Sequence, residues 1–468
     1  MNLLELTIQT YHQALLDGQV TTEDLVSFYL DRIQRFDPKL ASIISVNPKA
    51  LSQAKEFDQN FLSTRELVGP LHGVPVLVKD NVETKDMPTT AGSLSLAGFC
   101  SGKDADLVSR LKAAGAIILA KTNLHEFAVW GETVSSIKGQ TLNPYDLTRT
   151  PGGSSGGTGA ALAANFGLVG IGTDTINSIR SPSSANNLVG IRPTKGLVSD
   201  NGIVPYSHTQ DTAGPMARSV ADAVKVLHVI SASPLPPQNW ASNTDDAKVG
   251  FLKSCFGQKQ SHAEVNQVVY DVMAHFTRLG IDLVEINDNI DISDLVSNVS
   301  VHLFEIVPDL DGYLQQAKTP VQSVQEILTS GLYHPGILES LLTARNLANN
   351  KREYRQRLKK RKALQAQVKL IMDGLALDAI LFPHQQQLVC KVGASQLQRN
   401  GALAAITGFP SICSPAGFSM PTEEAPLGVP IGFELLGLPF TESKLIQLAG
   451  LMEQNFPKRI PPIEKNWR

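Results

Sequence analysis

Cysteine is scarce in this chain: Cys100, Cys255, Cys390 and Cys413 are the only four among 468 residues, and none is spaced from another as metal ligands are. They read as reduced, mostly interior small hydrophobes. Charge is scarce as well. Charged side chains make up 18% of the sequence, against about a quarter in an average soluble chain, so a large part of the molecule must be interior. Neither sign dominates, because 41 Lys and Arg face 44 Asp and Glu for a net charge of −3. There is accordingly no electrostatic case for a nucleic-acid partner. No apolar run reaches membrane-spanning length, so no membrane association is expected. The first residues, Met1 to Leu6, lack the basic stretch and small-residue cleavage site of a secretory signal. A soluble, cytoplasmic protein is the expectation. Internal repeats and low-complexity tracts are absent too.

What the chain has in abundance is small, hydroxyl-bearing residues in one place. The stretch 148–193 runs Thr-Arg-Thr-Pro-Gly-Gly-Ser-Ser-Gly-Gly-Thr-Gly and on to Gly-Thr-Asp-Thr-Ile-Asn-Ser-Ile-Arg-Ser-Pro. Four glycines surround Ser154 and Ser155, and a second polar turn follows at Thr173, Thr175 and Ser178. Glycine permits positive φ and close backbone approach, so such a loop is able to aim several N–H groups at one anion or oxyanion. A glycine-rich turn that merely opens an alanine-rich helix, Thr158 through Ala164, is the plainer alternative. Phosphate binding fits less well, since Gly157 is followed by Thr158 and not by the Lys-Ser/Thr of a phosphate loop, and no dinucleotide pattern continues from Gly157-Thr158-Gly159.

At 468 residues the chain has room for two or three average domains, although large α/β enzymes often keep a single sheet over such a length. Two amphipathic helices are expected over 3–16 and 22–36, the second capped by Thr21 and ended at Phe36-Asp37-Pro38, with Leu25, Phe28, Tyr29 and Ile33 inward. A third is expected near 49–59. From Gly69 the texture becomes that of a buried strand: Val74, Val76 and Val78 fall on one face, Leu77 and Lys79 on the other. A lysine ending such a strand either reaches solvent or responds to burial with a depressed pKa or a carboxylate partner, and Asp80 points the wrong way to serve. A helix over 107–114 and a strand over 116–120 continue an α/β alternation.

His125 and Glu126 are adjacent, with no second histidine at helical spacing, which argues against a metal pair. A helix is expected over 220–231, a Pro/Asn/Ser-rich loop over 233–246, and strands over 248–252 and 281–286 bracketing a helix near 264–279. Residues 290–345 read as a helical region covering the substrate. The cationic block Lys351, Arg352, Arg355, Arg357, Lys359, Lys360, Arg361 and Lys362 reads as the solvated face of a long helix, with an RNA or partner surface as the alternative. Strands near 379–382, 412–415 and 431–436 return the chain to the core.

Three segments taken together carry a resemblance: Gly73-Val74-Pro75-Val76-Leu77-Val78-Lys79-Asp80-Asn81, the Gly-Gly-Ser-Ser-Gly-Gly loop, and Thr173-Asp174-Thr175 leading into Ser178-Ile179-Arg180 and Pro182. With Gly190-Ile191-Arg192-Pro193-Thr194 and Gln210-Asp211-Thr212-Ala213-Gly214-Pro215, they resemble the amidase signature family of serine hydrolases. The resemblance covers nearly the whole chain. It implies one α/β domain over 1–468, with a mixed twisted sheet flanked by helices, a catalytic core near 65–230 and 375–455, and a peripheral helical region near 255–372. It implies Ser178 as nucleophile, Ser154 as bridging serine on a cis peptide after Gly153, and Lys79 as base, in hydrogen-bond sequence. The N–H groups of Thr175, Ile176, Asn177 and Ser178 would form the oxyanion hole, with Ser155, Asp174 and Arg180 supporting the turn.

The implied activity is hydrolysis of the C–N bond of a small carboxamide through an acyl-enzyme, with no metal or organic cofactor and a homodimer left open. Alternatives are the A subunit of a glutamyl-tRNA amidotransferase, an acyltransferase, and a scaffold or binding protein that has lost turnover. The last is motivated by Ile176-Asn177, where most members of the family have Gly-Gly. β-Branched isoleucine does not tolerate left-handed geometry, so Ile176 must sit at negative φ.

Overall fold

The strand that ends in Lys79 forms where alternating valines demand burial on both faces. Pro75–Lys79 is fully buried along its length, and it finds neighbours on each side that are buried as completely: Ile117–Thr122 and Val169–Asp174, both parallel to it. A computed structural model of the chain describes residues 1–233, 247–287 and 290–467. In chain order its strands are β1 Ile43–Val46, β2 Pro75–Lys79, β3 Ile117–Thr122, β4 Val134–Ser135, β5 Gly139–Gln140, β6 Val169–Asp174 and β7 Val189–Arg192. They continue with β8 Thr212–Ala217, β9 Lys248–Leu252, β10 Asp282–Ile286, β11 Ala379–Pro383, β12 Ser411–Phe418 and β13 Pro430–Leu436.

Among the described residues one sheet joins eleven of these in the order β1-β3-β2-β6-β8-β7-β12-β13-β11-β9-β10, and β4 and β5 form a separate hairpin. β8 runs antiparallel to both β6 and β7, and β13 antiparallel to both β12 and β11, while β9 lies parallel to β11 and β10. The sheet is therefore mixed, as expected of this α/β domain. Helices flank it, and the apolar core is continuous from the first two helices through the central strands to Glu442–Asn455.

Local chemistry sets the helix bounds. The first helix is Ile8–Leu16 and not the longer span expected from residue 3, because Thr7 and Thr10 form a reciprocal capping box and Asp222 accepts the Ile8 N–H at 3.0 Å. The second is capped by Thr21, as its sequence implies, but runs on to Leu40 with Pro38 inside it. Ala41 closes it in the left-handed region at φ 52°, its N–H on the Asp37 carbonyl at 2.7 Å. The Asp37 carboxylate takes the Ser42 and Ile43 N–H groups at 2.7 and 3.1 Å, which accounts for the extra turn.

The loop expected over 233–246 lies outside the described residues beyond Ser233. Helices at Ala263–Arg278, His302–Ala317, Val324–Ser330, Leu338–Leu347 and Lys351–Leu375 occupy the second half. The cationic block lies on the last of these and is largely exposed. Arg357 turns inward to the Ser300 carbonyl at 2.9 Å and Arg361 to the Ile406 carbonyl at 2.6 Å. Cys100 is exposed and the other three cysteines are buried, all four as free thiols.

Candidate active site

Lys79 ends β2 with no exposed surface. Its amine lies 2.7 Å from Ser154 Oγ and 2.8 Å from Thr173 Oγ1, and among the described residues no carboxylate comes within ion-pair distance. Burial pushes the Lys79 pKa down to about 7, against the opposing pull of Asp174 and Asp211. Of the two responses open to a buried lysine, the fold thus uses the depressed pKa. Asp80 serves a different amine: it pairs with the equally buried Lys121 at 3.1 Å.

The serine loop is held by its backbone. The Gly153–Ser154 peptide is cis, Gly152 sits at φ +71°, and the Ser154 carbonyl accepts the His125 N–H at 3.0 Å. Ser155 locks this loop to the second one, its N–H on the Ser178 carbonyl at 3.2 Å and its hydroxyl donating to the Thr173 carbonyl at 3.1 Å. The helix Gly156–Ala163 begins at once and is buried throughout. Gly157 is required there because its N–H reaches the Asn123 carbonyl at 3.1 Å, where a Cβ would collide with that oxygen.

In the turn Thr175–Ser178 every carbonyl is turned away and occupied. Gln210 Nε2 takes that of Thr175 at 3.1 Å, Arg180 Nη2 that of Ile176 at 2.7 Å, the Ser181 N–H that of Asn177 at 2.7 Å, and Ser155 that of Ser178. The four N–H groups between them donate to no protein acceptor among the described residues. Neither Ile176 nor Asn177 is among the residues at positive φ, so the side chains replacing two glycines are carried without left-handed geometry. Such a row of free donors is the arrangement an oxyanion needs.

Arg180 fixes this turn with all five of its N–H groups. Besides Ile176 it donates to both Asp174 oxygens at 3.1 Å, to Glu434 Oε2 at 2.7 Å and to the Gly401 carbonyl at 2.9 Å. Burial alone pushes the Asp174 carboxyl up, but the Arg180 and Arg192 guanidiniums outweigh it and hold it far below the usual carboxylate range. Glu434 is lowered in the same way, against burial, by Arg180, His384 and Ser411.

One expected contact is missing. The Ser178 hydroxyl makes no hydrogen bond to protein among the described residues, so the relay from Lys79 through Ser154 stops one step short of it. Ser178 faces instead a narrow cavity walled by Trp130, Ile176, Asn177, Tyr206, His302 and Arg399. Catalytic hydrogen bonds commonly close only around a bound substrate.

Several members of this site are not legible in the sequence. His125 suggests at most a metal ligand there, yet it is its main chain that holds Ser154. Its ring pKa is driven down to about 3, first by burial and then by the charges of His334, Arg399 and Lys79. Among the described residues no three His, Cys, Asp or Glu side chains converge as metal ligands would. For Thr173 the signal is its membership of a hydroxyl-rich turn, which fits its place beside Lys79. Glu434 lies in a segment, Phe433-Glu434-Leu435-Leu436-Gly437, that shares the family resemblance only loosely, and His384 and Arg399 give no local signal at all.

The chain matches the family model described as "Amidase" over residues 24–446. It is 31% identical over 483 aligned residues to the A subunit of the glutamyl-tRNA(Gln) amidotransferase of Prochlorococcus marinus, covering 96% of this chain and 97% of that protein. Among solved structures it is similar to the peptide amidase of Stenotrophomonas maltophilia, with a TM-score of 0.87 at 31% identity and coverage of 98% and 99% of the two chains. The A subunit of the Thermotoga maritima glutamyl-tRNA(Gln) amidotransferase gives a TM-score of 0.76 at 25% identity, covering 99% and 98%.

Proposed function

Because this chain belongs to the amidase family, we propose that it hydrolyses a carboxamide to a carboxylate and ammonia or an amine through an acyl-enzyme on Ser178. The observation that carries this reading is the buried Lys79 amine, 2.7 Å from Ser154 and titrating near pH 7. A neutral lysine takes the Ser154 proton as Ser154 takes that of Ser178, and the freed Ser178 oxygen attacks the amide carbon. The tetrahedral oxyanion is received by the N–H groups of Thr175 to Ser178, a kind of donor worth about 3–4 kcal/mol of barrier apiece in other serine hydrolases. The relay then reverses and protonates the departing nitrogen. Water repeats the sequence on the acyl-enzyme. No step requires a metal or an organic cofactor.

A fluorophosphonate tests the reading, since it forms a stable tetrahedral adduct only on a polarised serine beside preformed donors. Intact-mass analysis is expected to find one adduct, on Ser178, absent in Ser178→Ala and much slower in Ser154→Ala. A folded wild type that stays unlabelled would mean that Ile176 and Asn177 have closed the oxyanion hole and would favour the scaffold reading.

The second reading, an amidotransferase A subunit, is favoured by the end-to-end match to the Prochlorococcus protein. The greater structural similarity to a peptide amidase favours the first. Ammonia release from simple primary amides by the purified chain alone supports the hydrolase. Release that requires added partner subunits supports the amidotransferase.

A further inference from the structure

Arg399 stands in the wall of the cavity that Ser178 faces, and it also lines the larger open cavity of about 1060 Å³ beyond, with Trp130 shared between the two. Its guanidinium carbon lies 5.1 Å from the Trp130 ring centroid, which orients the fork without neutralising it. Among the described residues none of its N–H groups has a hydrogen-bond acceptor and no carboxylate lies within ion-pair distance. This contrasts with Arg180, whose five donors are all occupied, and with Arg192, held by Asp174 and Gln210.

The acidic group that bears on Arg399, Glu132, is already engaged. Its oxygens accept the Gln396 N–H at 2.8 Å and the Gly131 N–H at 3.2 Å, and one of them faces His125 Nδ1 at 3.5 Å. A second group in the same wall is also unused. Asn177 is 1% exposed, yet neither its amide nitrogen nor its amide oxygen has a partner. Buried carboxamides are normally hydrogen-bonded, and this one lies beside the nucleophile in the wall of the same cavity.

We propose that Arg399 and Asn177 form a subsite for a carboxylate on the acyl half of the substrate, so that the enzyme acts on monoamides of dicarboxylic acids or on amides of comparable anionic acids. The proposal rests on the amidase reading. A guanidinium with no carboxylate in ion-pair contact, half-buried and planar beside a tryptophan, matches a carboxylate in a bidentate pose. For a primary amide the leaving group is ammonia, which leaves the acyl half as the part that side chains beside Ser178 are able to recognise. Asn177 would supply an N–H to the same carboxylate and so satisfy a donor that is otherwise orphaned.

The test uses the monoamides of succinic, glutaric and adipic acids, each beside its methyl ester, with kcat/KM followed by ammonia release. For the acid of best length the free carboxylate is expected to exceed its ester by on the order of 10- to 100-fold, the range of one charge-assisted contact. Arg399→Gln should collapse that ratio, and Arg399→Lys should restore part of it. Preference for the ester at every length, or an unchanged ratio in Arg399→Gln, overturns the subsite.

Binding separates this from failure of the amidase reading. In Ser178→Ala the dissociation constant of the uncleaved monoamide should rise by a similar factor on adding Arg399→Gln, and equal constants overturn the subsite whatever the turnover. If wild-type Ser178 takes the fluorophosphonate but only esters are hydrolysed, the subsite falls and the amidase stands. If it takes none, the amidase reading falls.

Discussion

In the proposed hydrolysis Lys79 concentrates the chemistry in one titration. Its native pKa of about 7 lies far below the value near 10.4 of an unfolded lysine. Turnover should therefore rise through about pH 7 as the amine loses its proton and level off above it, and Lys79→Met should abolish it. The same shift affects folding. Between about pH 7 and pH 10 the unfolded chain holds a proton that the native protein does not, so this group's contribution to stability is full above pH 10 and lost as pH falls toward 7. Lys79→Met removes the difference. Urea unfolding of the variant should show a flatter dependence on pH across that window, with equal or higher stability at pH 7. A parallel dependence in wild type and variant would mean that the amine is charged in the native state.

The turn Thr175–Ser178 and the strand β13 behave as one element, because Arg180 ties them through Asp174 and Glu434. Replacing Arg180 with methionine would leave a buried carboxylate at Glu434 with only His384 and Ser411, and would leave the Ile176 carbonyl unheld. A buried pair broken on one side typically costs about 3–5 kcal/mol, a loss that equilibrium denaturation would register directly. Arg180→Lys keeps the charge but loses the planar fork that meets Asp174 and Glu434 at once. That variant is expected to recover part of the stability while kcat stays low, since the orientation of the oxyanion donors depends on the fork. Full recovery of kcat in Arg180→Lys would show that charge alone fixes the turn.

Across the whole molecule, stability should not be uniform. β6 and β8 are buried along every residue and lie at the centre of the sheet, whereas β10 is an edge strand with exposed residues at Asp282 and Glu285. The helices at 302–347 pack through Leu310, Leu314, Ile327 and Leu341 on an apolar cluster that they share with Leu96, Phe127, Val204 and Tyr206. Polar ties join this layer to its surroundings, among them Glu305 to Ser207 and Thr209, Asp309 to the His208 N–H, Glu126 to the His334 N–H, and Tyr313 to Glu83. Local opening follows contact density. Amide hydrogen exchange should therefore be fastest in Val324–Ser330, intermediate in β10 and slowest in β6 and β8. Uniform protection would show instead that the helical layer and the sheet unfold as one unit.

The chain alone determined the elements whose cause is local. Thr21 capped a helix because its side chain reaches an N–H three residues on, alternating valines made a buried strand, and the glycines around Ser154 and Ser155 marked a loop that only small residues could close. The family resemblance added the pairing of Lys79 with Ser154, which spacing by itself could not supply. Pro38 is the local signal that misled, since Asp37 supplies hydrogen bonds that carry the helix on to Leu40. What only the tertiary structure decided is whatever depends on residues remote in sequence sharing one environment. The Lys79 pKa falls to about 7 because the closed fold takes its amine wholly out of water and no carboxylate pairs with it. Glu434 is ionised because Arg180, 254 residues away, meets it at 2.7 Å. Arg399 looks like any surface arginine in the sequence, and its unpaired guanidinium is visible only once the fold places it beside Trp130 and Asn177. Sequence patterns record periodicity and turn chemistry, which act over a few residues. Desolvation and Coulomb interactions act through space, and so they are settled only when the chain has closed on itself.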